Sequence, residues 1–127
     1  IARRRAVWRR YHDGLGALAA AGTLVLPPLH YGDREDNGHL FYVLADTLAT
    51  RLALAAHLKV QGIVSVSHYV PLHSSPAGQR WGRSGSDMKV TDEIFDRLLR
   101  LPIYFRMTDA EVDAVLAAVR QFFSSRG

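Results

Sequence analysis

The stretch Gly62–Pro76, GIVSVSHYVPLHSSP, constrains the fold of this 127-residue chain more than any other. Gly62 stops a helical pattern at the place a left-handed cap needs. Ile63, Val64 and Val66 then make a short apolar run rich in β-branched residues, and such a run bounded by turn residues predicts a short buried strand. The run breaks into a loop carrying His68, Tyr69, His73 and several serines. Pro71 and Pro76 remove backbone donors and push the residue before each out of the helical region, so the loop is expected to be extended and stiff. A rigid loop at the end of a buried strand suits polar recognition, although histidine and tyrosine in loops commonly do no more than finish a surface.

The rest of the chain supplies elements for that loop to stand on. Ala2–Ala21 is built of helix formers, with Val7, Trp8, Tyr11, Leu15 and Leu18 at spacings of three and four that make one apolar stripe. Thr23–Asn37, with Pro27–Pro28 and the run Asp33–Asp36, reads as an extended connection, closed by the turn signal Asn37–Gly38. His39–Leu44 reads as a central strand buried on both faces. Asp46 or Thr47 caps a helix with Leu48, Leu52, Ala55 and Ala56 on one face, widened by Leu54 and Leu58. Ala77–Met88 is rich in glycine and serine and is expected to be a mobile loop around Trp81. Thr91 is expected to cap a helix carrying Ile94, Phe95, Leu98 and Leu99, and Leu101–Phe105 to form an edge strand around Pro102. Thr108–Glu111 has the spacing of a capping box ahead of a last helix whose core face is Val112, Val115, Leu116, Val119, Phe122 and Phe123. The expected fold class is α+β, a small mixed sheet of about three strands from Leu40, Ile63 and Leu101, covered by helices.

Composition bounds function. The chain has no cysteine, which excludes a disulfide scaffold, thiolate metal sites and thiol catalysis. No apolar run approaches a membrane span, and Ile1–Arg10 lacks the apolar core of a signal peptide. A start inside a helical pattern without methionine leads to the expectation of a fragment. The net charge of +4 is almost all arginine, with Lys59 and Lys89 the only lysines, and Arg3, Arg4, Arg5, Arg9 and Arg10 share one helix. Such a run is usually a solvated face; a stand-alone basic module binding nucleic acid or an acidic protein is the alternative function it keeps open.

Motifs for other chemistry are absent. His39, His68 and His73 have neither helical i, i+4 spacing nor an adjacent carboxylate, so hydrogen-bonded histidines are favoured over a metal site. The serines lie in no G-x-S-x-G elbow, and no glycine-rich phosphate loop is present.

Three segments in order, DNGHLFYVLAD, HYVPLHSSP and RLLRLPIYFRMTDAEVDAV, resemble the DegT/DnrJ/EryC1/StrS family of sugar aminotransferases, with the likeness running from about Trp8 to Phe123. Within the family the chain is most similar to the C-terminal part of enzymes that aminate dTDP-4-keto-6-deoxy-glucose. The resemblance implies the small domain of a fold-type-I pyridoxal-phosphate (PLP) aminotransferase, with residues 1–22 as the helix linking it to a large domain and 23–127 as the small domain. Without that large domain, part of the Ala2–Ala21 stripe is expected to lie bare. The implied reaction moves an amino group, by likeness from glutamate, to a nucleotide-linked 4-keto-6-deoxy sugar in bacterial polysaccharide or glycoside biosynthesis. Implied partners are the nucleotide sugar, an amino-acid donor, the large domain and a second copy in a homodimer, in the cytoplasm, with no nucleic acid and no membrane.

The cofactor needs a Schiff-base lysine and a carboxylate near its ring nitrogen. Neither Lys59 nor Lys89 sits in anything like the family's lysine motif, so PLP is expected in the full-length parent and no cofactor or catalytic residue in this stretch. The resemblance nominates His68 and Tyr69 as substrate-binding residues, with His73 and Ser75 as looser candidates. Imidazole and phenol donors suit diphosphate oxygens and sugar hydroxyls. Arg80 and Arg83 are weaker candidates for diphosphate. Arg97 matches an arginine common in the family's R-L-L-x-L-P segment, and anchoring helix to loop is favoured for it over substrate contact.

Overall fold

A computed structural model describes residues 1–29, 32–33 and 37–126. The elements run α1 (Ala2–Ala20), β1 (Phe41–Leu44), α2 (Leu48–Val60), a 3-10 turn (Leu72–Ser74), α3 (Pro76–Trp81), α4 (Lys89–Arg97), β2 (Leu98–Leu101) and α5 (Asp109–Ser124). The class is α+β, as expected, the helices from periodicity and the sheet more from the family resemblance. Most of the run Asp33–Asp36 lies outside the described residues.

The sheet has two antiparallel strands instead of three, with Phe41 opposite Leu101 and Leu44 opposite Leu98. Single bridges flank it, Val25 with Leu44 on one side and Val66 with Arg100 on the other. The expected strand from Ile63 therefore contributes one residue, and the sequence explains why. Val66 and Arg100 exchange both backbone bonds, at 3.2 and 2.8 Å. The next hydrogen-bonded pairs of that ladder would use Pro102, which has no N–H, and Leu98, whose N–H already donates to Ile94 O at the end of α4. Nor is the run buried, since Val64 is 76% exposed. β1 alternates, Phe41 and Val43 buried and Tyr42 and Leu44 half-buried, where burial on both faces was expected.

β2 begins three residues before the expected strand and ends at Leu101, because Pro102 cannot continue the pairing. Leu98 and Leu99 belong to it and not to the helix: Leu98 takes extended angles, φ −82° and ψ 126°, and closes α4. Thr91 does not cap that helix, which starts from Met88 in a left-handed conformation. Ser75 caps α3 by accepting from Gly78 N, with Pro76 in the first turn, so the expected loop Ala77–Met88 opens as helix and becomes irregular only from Gly82.

α2 is capped by Thr47 and stopped at Gly62 (φ 75°), where Ile63 N reaches Leu58 O in a Schellman closure. Its buried face is Thr50, Arg51, Leu54 and Leu58, while Leu48 and Leu52 are exposed. Two apolar stripes compete on this helix; the inner one includes Arg51, whose Nε donates to Asp96 O at 2.8 Å.

Most of the stripe of α1 is covered, more than expected; of its five residues Leu18 alone stays half-buried. Val7, Trp8, Tyr11 and Leu15 are all buried, packed with Phe41 and with Val112, Val115, Leu116 and Val119 of α5 in one core. Burying such side chains contributes about 1.5–3 kcal/mol each. Tyr11 donates its hydroxyl to Pro102 O at 2.8 Å, and burial pushes its pKa up. The capping box forms as spaced: Thr108 Oγ1 accepts from Glu111 N, and the Glu111 carboxylate accepts from Thr108 N at 2.7 Å.

Candidate functional site

The segment 66–75 leaves the sheet at Val66 and returns to regular structure at α3, and each end has its own anchor. At the near end Arg100 Nη2 donates to Ser67 O at 3.1 Å, and the guanidinium lies 5.9 Å from the centre of the Tyr69 ring. His68 is half-buried there. Burial first, and the Arg100 charge second, hold its pKa below the ordinary histidine value. A neutral imidazole offers one donor and one acceptor.

At the far end His73 Nε2 sits 2.9 Å from Asp92 Oδ1 of α4. Ser75 Oγ donates to Leu72 O at 2.8 Å while accepting from Gly78 N at 3.0 Å. Gly78 permits this: a Cβ there would lie 1.6 Å from Leu72 O. His73, Leu72, Arg83, Ser84 and Met88 line an open cavity of about 300 Å³. Between the anchors Tyr69 is 87% and Leu72 85% exposed.

The nominated residues thus fall into groups. His68 and Tyr69 stand together beside Arg100. His73 and Ser75 stabilise the turn, with Arg83 across the cavity. Arg80 stacks over the Trp81 ring at 4.8 Å. Arg97 is apart from all of them, its Nε donating to Ala45 O at 2.7 Å, a helix-to-loop anchor. Two participants were not nominated. Arg100 had a signal, a charge interrupting the apolar run LLRL at an alternate-face position; Asp92 had none, since its partner is nineteen residues away and joined only by folding.

The N-terminal arginines are largely occupied within the domain. Arg3 pairs with Asp109 at 2.8 Å and donates to Met107 O, Arg10 chelates Asp113 at 2.7 Å, and Arg4 bonds His39. Arg3 foremost, with Arg10, holds the Asp109 carboxyl below its usual range. Among the described residues no three histidine or acidic side chains are placed to hold a metal, and no helix is long and apolar enough to cross a membrane.

Residues 1–120 match the DegT/DnrJ/EryC1/StrS aminotransferase family. The chain belongs to that family. Among curated relatives, the dTDP-3-amino-3,4,6-trideoxy-alpha-D-glucose transaminase of Micromonospora megalomicea subsp. nigra is 30% identical over 123 residues, 95% of this chain and 32% of the relative. Among solved structures, the aminotransferase TlmJ from Streptoalloteichus hindustanus superposes with a TM-score of 0.87 at 26% identity, over 99% of this chain and 32% of that one. DesV from S. venezuelae does so with 0.83 at 30% identity, over 95% and 31%. The chain therefore spans about a third of the length of the aminotransferases it matches.

An aminotransferase cofactor of the phosphopyridoxal type needs an enclosed lysine facing a carboxylate. The lysines of this stretch do not fit it. Lys59 is exposed near the end of α2, and Lys89 is exposed at the start of α4, 4.0 Å from Glu93 on the same helix.

Proposed function

We propose that residues 23–127 form the small domain, and residues 1–22 the linking helix, of a PLP-dependent aminotransferase acting on a nucleotide-linked 4-keto-6-deoxy sugar. The family membership supports amino transfer, and the relatives' length supports a larger parent whose other residues hold the cofactor. PLP supplies the carbonyl and electron sink for amino transfer. The role we assign to this stretch is to bind and orient the sugar nucleotide through His68 and Tyr69, with His73 and Ser75 setting the turn and Arg80 and Arg83 at its rim. Arg97 we assign to anchoring alone.

One observation carries the reading: a loop tied at both ends that nevertheless holds Tyr69 out to solvent. A phenol left 87% exposed on a restrained backbone, with Val70 and Leu72 exposed beside it, supports a role at a ligand or a second surface. The neighbouring exposed Val70, Leu72 and Trp81 support a homodimer, in which the loop approaches a site shared between copies. Glutamate as amino donor, a role in polysaccharide or glycoside biosynthesis and a cytoplasmic location complete the proposal, and all three rest on family likeness. The internal pairing of Arg3 and Arg10 weighs against a basic module for nucleic acid or an acidic protein.

The test uses the full-length enzyme and separates its half-reactions. His68→Ala or Tyr69→Phe is expected to lower kcat/KM for the sugar nucleotide by about ten- to a hundredfold, as loss of one or two buried hydrogen bonds would. The half-reaction with glutamate should change by less than about twofold. Equal damage to both half-reactions, or none to either, would defeat the proposal.

A further inference from the structure

We propose that Arg100 is the positioning residue of the loop: from β2 it fixes where His68 and Tyr69 stand, and so sets the fit of the sugar nucleotide. This rests on the reading of the loop given above.

The case is geometric. Arg100 holds Val66 through both backbone bonds and Ser67 through Nη2 at 3.1 Å, and its guanidinium carbon lies over the Tyr69 ring, 5.9 Å from the ring centre. Beyond Val66 the ladder has no continuation, and among the described residues 67–70 no other backbone–backbone hydrogen bond is made. One side chain therefore restrains a segment that the sheet has released. The guanidinium can do this because it is planar and carries several donors in a fixed fork; an ammonium would offer a point contact to one carbonyl.

A purely structural role explains Arg100 poorly. Its Nε is buried and has no hydrogen-bond partner among the described residues, an arrangement that ordinarily costs folding free energy. An apolar residue on that half-buried strand position would avoid the penalty, so the arginine is better accounted for by what it does to the loop. Its charge also favours neutral His68, able to accept as well as donate to a sugar hydroxyl.

The experiment compares Arg100→Ala and Arg100→Lys in the full-length enzyme, alone and in a His68→Ala, Tyr69→Ala background. Arg100→Ala is expected to raise KM and lower kcat/KM for the nucleotide sugar about tenfold, with the amino-donor half-reaction within about twofold. Arg100→Lys should recover part of the loss. In the double-variant background the further change should be under about twofold, because Arg100 acts through the residues already removed. If Arg100→Ala does not fold, Arg100→Gln, which keeps a donor for Ser67 O, takes its place. A full multiplicative loss in that background would overturn the proposal by making Arg100 a direct ligand. Equal loss in both half-reactions would make it structural and overturn it too. Normal Arg100→Ala kinetics beside an impaired His68→Ala would overturn the proposal and leave the loop reading intact. Normal kinetics in every variant would overturn both.

Discussion

His73 and Asp92 lie 2.9 Å apart, and they are the side-chain link between the 3-10 turn and α4. The imidazole is only 16% exposed while the carboxylate is 50% exposed, so the pair is half screened by water. Asp92→Ala is expected to cost less than about 1 kcal/mol of global stability. Its effect should appear locally, as faster hydrogen exchange of amides 72–78. Asp92→Asn, which keeps an acceptor, should stay near wild type. Unchanged exchange in Asp92→Ala would show that the turn is held by Ser75 alone.

Gly78 gives a sharper test of the same turn. A methyl at its Cα would occupy the Leu72 carbonyl oxygen, 1.6 Å away, and backbone cannot yield as a side-chain tip would. Gly78→Ala should therefore displace α3 and lose the Ser75 cap, a penalty of about 1 kcal/mol or more. Proteolysis between residues 72 and 82 should become faster, with the core of α1 and α5 unaffected. Wild-type resistance to protease would contradict the contact.

The capping box sets the start of α5. Thr108→Ala should cost roughly 1 kcal/mol in chemical denaturation. Glu111 adds a pH signature. Its carboxylate accepts from Thr108 N, then from the Tyr104 and Thr108 hydroxyls, and these bonds hold its pKa below the ordinary glutamate value. A depressed acid stabilises the fold above its unfolded pKa, near 4.5, and loses that contribution as pH falls through the folded value. Glu111→Gln should flatten this part of the acid limb of stability; an unaltered limb would point to other carboxylates.

His68 carries the opposite sign. Its folded pKa is lowered, so the open loop binds a proton more readily than the closed one. Above about pH 6.5 both are neutral and no linkage arises; as pH falls below that value the closed loop loses stability until the folded pKa is passed. Hydrogen exchange across 66–75, measured between pH 8 and 5.5 and corrected for intrinsic rates, should show opening that grows on acidification. His68→Gln should abolish that growth.

Local signals carried the ends of α2 and the start of α5. The closure at Gly62, the Thr47 cap and the Thr108–Glu111 box each act within a few residues of themselves, and all three appear where the sequence places them. What the sequence hid is long-range. Leu98 and Leu99 continue a helical stripe in sequence, yet pairing with Leu44 and Val43 draws them into β2. The face of α2 could not be chosen until Arg51 found Asp96 O, because the charge disguised the inner stripe. In the loop, chemistry was legible at His68 and Tyr69 from residue type and prolines. Arg100 and Asp92 acquire meaning only through register and tertiary contact.

The single bridge at Val66 has a bearing on whether this sheet can be extended by another strand. A short strand at the margin of a sheet ordinarily invites a foreign chain to add itself, the route to swapped or fibrous assemblies. Here the outward donors of β2 are already spent: Arg100 N belongs to Val66, Leu98 N belongs to α4, and Pro102 has no hydrogen to give; Arg100 O and Pro102 O receive Val66 and Tyr11. Further β-augmentation has no run of free donors to read along that margin.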